Sequence, residues 1–315
     1  MFEITERQQT NEVSQQYTHD IQSLFIKYVN YIDATPKTIE TYTKALKQFR
    51  NYIVMNDIKS PTREDVIAFR QVLEQNHKAT TVQTYLIAVR QFFKWTEQEN
   101  LYPNIADNVK SKKISKAPKK DYLSTNAIKA ILDTADRTTL KGMRDYAIIT
   151  LMLTCGLRDI EVTRANIEDL RTLGENSVLY LQGKGRDEKA DYVILPTHTE
   201  KAIRTYLAAC THKEESEPLF SSISNNSNGN RLTTRSVSRV VKEAMRKAGY
   251  DSSRLTAHSL RHTAITLSLK NGESLQEVQQ FARHTNINTT LIYAHNLEKE
   301  NNSCSNTVAN SIFND

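Results

Sequence analysis

The chain has 315 residues, 38% of them hydrophobic and 25% charged, with a formal net charge of +6 and a pI near 9.0. That length is more than one ordinary core needs, so two domains are expected, and the basic excess favours a polyanionic partner. No apolar run reaches membrane-spanning length, the first residues lack the basic-then-apolar order of a signal peptide, and Cys155, Cys210 and Cys304 have neither metal-ligand nor disulfide spacing, which leaves a cytoplasmic protein with incidental thiols as the expectation.

Residues 1–17 are polar and are expected to form a flexible tail. Four amphipathic helices follow. The first carries Ile21, Leu24, Phe25, Tyr28 and Ile32, and the second carries Ile39, Tyr42, Leu46, Phe49 and Ile53 behind Pro36. Thr62 and Asp65 sit where a helix cap belongs, ahead of Val66, Ile67 and Phe69. The fourth run holds Val82, Tyr85, Leu86, Val89, Phe92, Phe93 and Trp95. Short connections and no strand pattern between them predict a helical bundle, with a domain over residues 18–102. Lys44, Lys47 and Arg50 share one side of the second helix, and Thr80, Thr81 and Arg90 decorate the fourth. A solvated surface explains these faces on composition alone; contact with DNA phosphates is the alternative.

Residues 103–122 hold Lys110, Lys112, Lys113, Lys116, Lys119 and Lys120 with Pro118 among them, and no apolar period. This stretch reads as a Lys-rich linker between domains, suited equally to tethering and to tracking a phosphate backbone. A second domain is expected over residues 123–300. Ser124 caps a helix through Leu132, and the run from Tyr146 to Leu153 is apolar on nearly every side, as a central helix is. Gly156 can turn the chain into a helix holding Arg158 and Glu161, one turn apart. The period then becomes alternating over residues 177–182 and 191–196, a hairpin with Lys184 between Gly183 and Gly185. Helices follow over residues 200–209 and 237–248, the latter basic with Arg239, then one capped by Ser274 and Glu277, and one from Thr289 that carries Tyr293.

Phosphoryl transfer needs a nucleophile, positive charge on the non-bridging oxygens and an acid for the leaving oxygen. The sequence offers no acidic cluster of metal-site character, so cationic side chains must carry that charge. Arg158, Lys184, His258, Arg261 and His284 are the candidates, with Tyr293 as nucleophile. His258 and Arg261 are one helical turn apart, and a guanidinium fork fits two phosphate oxygens. Each residue alone is more often structural than functional; their joint order is what counts.

Gly156-Leu157-Arg158-x-x-Glu161, Gly183-Lys184-Gly185, His258-x-x-Arg261-His262-Thr263 and His284 with Thr289-Thr290-x-x-Tyr293 together resemble the tyrosine recombinase family, which includes the phage integrases and Xer-type recombinases. The resemblance implies a mainly α fold with a small antiparallel β-sheet, a SAM-like four-helix core-binding domain and a C-terminal catalytic domain. It implies that Arg158 and Arg261 hold the scissile phosphate, Lys184 protonates the leaving 5′ oxygen, His258 moves a proton at the tyrosine, His284 bonds the phosphate and Glu161 supports the site. Tyr293 would form a 3′-phosphotyrosine without metal, cofactor or ATP, in a tetramer on two DNA duplexes with inverted half-sites, through a Holliday junction.

Two positions depart from the family pattern. Arg283 stands where a glycine usually precedes the histidine, which implies an altered backbone or an added phosphate contact. Asp159 puts an acid beside Arg158. Residues 301–315 carry a short apolar face of Val308, Ala309, Ile312 and Phe313 that fits exchange with a neighbouring protomer. The short stretch before residue 18 points to a Xer-like or mobile-element enzyme. A type IB topoisomerase and a catalytically idle DNA-binding protein of the same fold remain the alternatives.

Overall fold

The computed structural model describes residues 21–112, 121–183, 188–211, 214–224, 228–300 and 302–313. The chain divides into two units between Ser115 and Lys116. The expected tail of residues 1–17 lies outside the described residues.

The first unit is built on four helices: α1 (Ile21–Tyr31), α2 (Pro36–Met55), α3 (Arg63–Asn76) and α4 (Ala79–Gln98). Local chemistry sets their starts. The Thr35 hydroxyl accepts from the Thr38 amide ahead of α2, with Pro36 supplying the fixed φ of a first helical turn. At α3 the Asp65 carboxylate accepts from the Thr62 amide at 2.7 Å. The apolar stripes then meet in one aromatic core. Phe92 packs on Phe25 at 4.6 Å and on Phe93 at 5.0 Å between ring centroids, and Phe49 packs on Phe69 at 5.0 Å.

The first half of the expected linker belongs to this unit. Ala106 and Val109 are buried in the same core, beside Tyr102 at the end of the expected helical domain. The Tyr102 hydroxyl donates to the Pro61 carbonyl at 2.8 Å, and Arg70 donates to the Lys110 carbonyl at 2.7 Å. Arg63 donates to the Asp107 carbonyl. These apolar residues sit in successive turns, so they follow neither a helical nor an alternating period and escape a periodicity reading. The rest of that stretch, residues 113–120 with Lys113, Lys116, Lys119 and Lys120, lies outside the described residues.

The second unit runs α5 (Thr125–Asp133), α6 (Leu140–Thr154), α7 (Asp159–Arg164), a 3-10 turn (Ile167–Asp169), β1 (Leu170–Leu173), β2 (Asn176–Leu181), β3 (Asp191–Ile194), α8 (Thr197–Ala209), α9 (Thr234–Lys247), α10 (Ala257–Lys270), α11 (Leu275–Ala282), α12 (Ile287–Glu300) and α13 (Cys304–Phe313). As its composition demands, α6 is the central helix, with Ala147, Ile148, Ile149, Leu151 and Met152 buried. It packs against α8 and α10. The sheet is antiparallel in the order β1-β2-β3, with Leu170 opposite Leu179 and Leu179 opposite Val193.

Three strands stand where the sequence predicted two. The additional one, β1, turns into β2 through Gly174 at φ 60°. Its residues are mostly exposed, so as an edge strand it lacks the alternating burial that marks β2.

Gly156, at φ 58°, ends the approach from α6 to α7. A Cβ there would lie 3.0 Å from the Phe281 ring, so backbone conformation and close packing both favour glycine at this corner. Much of the site is built around it.

Candidate active site

The corner between α6 and α7 gathers charge from three parts of the chain. Arg158 is the N-cap residue of α7 and Glu161 is its third helical residue. The spacing lets the Glu161 carboxylate fold back as a cap: it accepts from the Arg158 amide at 2.8 Å and from Arg158 Nη1 at 2.7 Å. Glu161 is 1% exposed, so the pair is protected from water on its acidic side. Asp159 turns onto its own helix end, where Oδ1 accepts from the Ile160 amide at 2.9 Å.

From α10, Arg261 reaches the same corner. It is 1% exposed, the largest side chain buried so fully. Its guanidinium donates to the carbonyls of Gly156 and Ala282, tying α10 at once to the glycine corner and to the end of α11. Burial, with Arg158 and Arg283 nearby, pulls its pKa down to about 9, which still leaves it cationic at neutral pH. His258 is exposed on the first turn of α10, one turn before Arg261 on the same face.

From the third direction come α11 and α12. Arg283 caps α11 in a left-handed conformation, φ 52° and ψ 47°. The next residue, His284, presents Nδ1 to the Thr290 hydroxyl at 3.0 Å, and its backbone is pinned to both ends of the Gln279 residue: the His284 amide donates to the Gln279 carbonyl and the Gln279 amide side chain donates to the His284 carbonyl. Burial, reinforced by Arg261, Arg158 and Arg283, drives the His284 pKa down to about 4, so the ring is neutral near pH 7.

Tyr293 is half-buried on α12. Its ring lies 4.7 Å from the His262 ring and 6.2 Å from the His284 ring, centroid to centroid. Burial raises its pKa while Arg261 and Arg158 oppose the rise. Both arginines are therefore within electrostatic reach of the phenol.

The structure thus brings Arg158, Glu161, Arg261, His284 and Tyr293 around one corner. Lys184 lies outside the described residues. The Gly183 carbonyl just before it accepts from Arg164 of α7 at 2.9 Å, and Lys189 pairs with the buried Asp169 at 2.6 Å. Among the described residues no group of His, Cys, Asp and Glu is arranged to hold a metal ion, and no helix is long and apolar enough to cross a membrane.

The expected DNA-contact residues are scattered. Lys44, Lys47 and Arg50 are exposed on α2, with Lys44 paired to Glu40 at 2.6 Å. Thr80, Thr81 and Arg90 are half-buried on α4. Lys112 pairs with Glu74 at 3.1 Å, and Lys113 is outside the described residues. Arg239 lines a groove with Thr233, Arg235 and Lys242 beside Thr256, where α10 starts. Arg239 and Lys242 are legible from the basic helix, whereas Thr256 joins them only through folding. His262 was likewise read only as part of a motif; nothing in its spacing tells that its ring meets Tyr293.

Comparison with known proteins gives the same partition. A model of the phage integrase family matches residues 121–300, and one of the phage integrase N-terminal SAM-like domain matches residues 21–100. The tyrosine recombinase XerC of Oceanobacillus iheyensis is 28% identical over 280 residues, spanning 86% of this chain and 90% of its own. The XerH site-specific recombinase, solved as a post-cleavage complex on a palindromic difH substrate, superposes with a TM-score of 0.67 at 24% identity, over 83% of this chain and 78% of that one. A lambda integrase tetramer on a Holliday junction gives 0.67 at 15% identity, over 88% and 81%. These two structures share the fold. With its family model covering more than half of the sequence, including the whole arginine, histidine and tyrosine cluster, the chain belongs to the phage integrase family as a site-specific recombinase of the tyrosine type.

Proposed function

We propose that the protein exchanges DNA strands at a specific site by forming a 3′-phosphotyrosine at Tyr293. The observation that carries this reading is the convergence of Arg158 and Arg261 on the Gly156 corner, with His284 of the same corner stacked on the Tyr293 ring. In the proposed step the phenol oxygen bonds to phosphorus as the bond from phosphorus to the 5′ oxygen breaks. The phenol proton leaves through exposed His258, and Lys184 protonates the departing 5′ oxygen. Arg158 and Arg261 neutralise the non-bridging oxygens, where removing one such donor costs roughly a hundredfold or more in rate. Neutral His284 donates a hydrogen bond to the phosphate from Nε2, with its ring held by Thr290. The 5′ hydroxyl of a partner strand then attacks the phosphotyrosine and frees Tyr293. One phosphodiester replaces another, so bond energy is conserved and neither ATP nor a metal enters the balance.

The wider reading follows from that step. Four protomers on two duplexes would pass through a Holliday junction, each pair on inverted half-sites in cytoplasmic DNA. The structures of XerH on difH DNA and of a lambda integrase tetramer on a Holliday junction support it. The groove of Thr233, Arg235, Arg239 and Lys242 suits a phosphate backbone, as do the exposed Lys44, Lys47 and Arg50 on α2 and the Thr80, Thr81 and Arg90 face of α4.

A pool of nicked duplexes of random sequence tests the function directly. The nick lets the cleaved end diffuse away and traps the attached protein. Wild type is expected to capture DNA covalently, and sequencing the captured fragments should reveal paired inverted motifs. Tyr293→Phe should bind the same sequences without attaching. Covalent capture without any joining of two duplexes would point instead to topoisomerase-like relaxation, and binding without capture to an idle DNA-binding protein.

A further inference from the structure

Arg283 is occupied in a way that a surface helix cap does not require. Its backbone lies in the left-handed region, where a non-glycine residue is strained. Its side chain is nonetheless only 10% exposed and points inward. Nη1 donates to the Phe281 carbonyl at 2.8 Å and to the Cys155 carbonyl at 3.4 Å. Nη2 donates to the Gly156 carbonyl at 3.1 Å and to Glu161 Oε2 at 3.0 Å. The Gly156 carbonyl also accepts from Arg261, and the Arg283 carbonyl accepts from Arg158 Nη2 at 3.4 Å. One residue therefore touches each of the other three members of the cluster or shares an acceptor with them.

The charge balance gives this contact its meaning. Among the described residues Glu161 is the carboxylate paired with this cluster and it is buried, while Arg158, Arg261 and Arg283 are three guanidiniums around it. A single carboxylate offsets one of them. With Arg283 present, two positive charges remain for an incoming phosphate. Without it, Glu161 pairs with Arg158 alone and one remains. Burial pushes the Glu161 carboxyl up, and Arg283, followed by the Arg158 amide and guanidinium, brings it below the usual range.

Building on the strand-exchange reading above, we propose that Arg283 is a positioning residue for phosphoryl transfer. It shares the charge of Glu161 with Arg158, so that more of the Arg158 charge is left for the scissile phosphate, and it fixes the turn that presents His284.

Three variants of the full-length protein separate this from a purely structural role: Arg283→Gly, Arg283→Lys and the double variant Glu161→Gln with Arg283→Gly. Glycine relieves the left-handed backbone but removes the charge; lysine keeps the charge and the strain. On the captured nicked duplex, Arg283→Gly should bind a half-site as wild type does and attach roughly tenfold to a hundredfold more slowly. Arg283→Lys should regain part of that loss. The double variant should also regain part of it, since neutralising Glu161 returns the cluster to two positive charges. Attachment by Arg283→Gly at the wild-type rate, or a double variant no faster than the single one, would overturn the proposal.

A second readout needs no DNA. Inorganic phosphate should raise the melting temperature of wild type, and Arg283→Gly should require about tenfold more phosphate for the same rise. An equal response in both proteins would overturn the proposal even if the variant is less stable. Should wild type attach to no DNA at all, the recombinase reading fails by itself, and the phosphate melts still decide the role of Arg283.

Discussion

His284 is asked to be a hydrogen-bonding group in the most cationic part of the molecule. Its low pKa, near 4, follows from burial first and then from Arg261, Arg158, Arg283 and His258. The sign of the consequence is fixed. As pH falls below the ordinary histidine value of about 6.5, the unfolded chain takes up a proton that the folded ring refuses. Stability therefore falls between about pH 6.5 and 4, and His284 has no such effect above that window. Allowing for partial exposure of the ring, the loss between pH 7 and pH 5 should be about 1 kcal/mol. Urea unfolding at the two pH values should show it, and His284→Gln should make the dependence shallower. An unchanged dependence in that variant would mean the ring titrates normally. Tyr293 faces the opposite pull: burial holds its phenol protonated while Arg261 and Arg158 ease ionisation. A proton acceptor at the moment of attack is thus needed, which is the task proposed for His258.

At the scale of elements, the four helices of the first unit stand or fall with their aromatic core. Phe92 is fully buried and meets Phe25, Tyr28, Phe93 and Trp95. Phe92→Ala should cost about 3–5 kcal/mol. Because α6 anchors a separate core in the second unit, calorimetry should show the first unit melting earlier with the second transition in place. A single transition shifted as a whole would contradict two independent cores. These helices were legible because their apolar residues recur at helical spacing. The edge strand β1 was not, since exposure erases its alternation. Nor was the packing of Tyr102, Ala106 and Val109, which sit in turns. In the site, the order of Arg158, His258, Arg261 and Tyr293 was legible from the spacing of motifs. The inward course of Arg283 was not: its partners Cys155, Gly156 and Glu161 lie more than a hundred residues earlier, and only folding brings them together.

For the whole molecule, α13 is the element whose burial is missing. None of its residues is buried, and Val308, Ile312 and Phe313 are exposed. An apolar face of this kind fits a neighbouring protomer better than water, as proposed for a tetramer on two duplexes. Removing everything from Ser303 onward should weaken joining of two duplexes at least about tenfold while leaving half-site binding unchanged, as native gels can show. Equal assembly by the truncated protein would assign the helix no part in it. Every larger claim, from strand exchange to assembly, depends on the covalent step. Its most direct measurement is mass spectrometry of the protein captured on a nicked duplex, after nuclease and protease digestion. The peptide containing Tyr293 should carry a nucleotide joined through its 3′ phosphate, and Tyr293→Phe should give no adduct. An adduct on any other residue, or one that persists in that variant, would contradict the account.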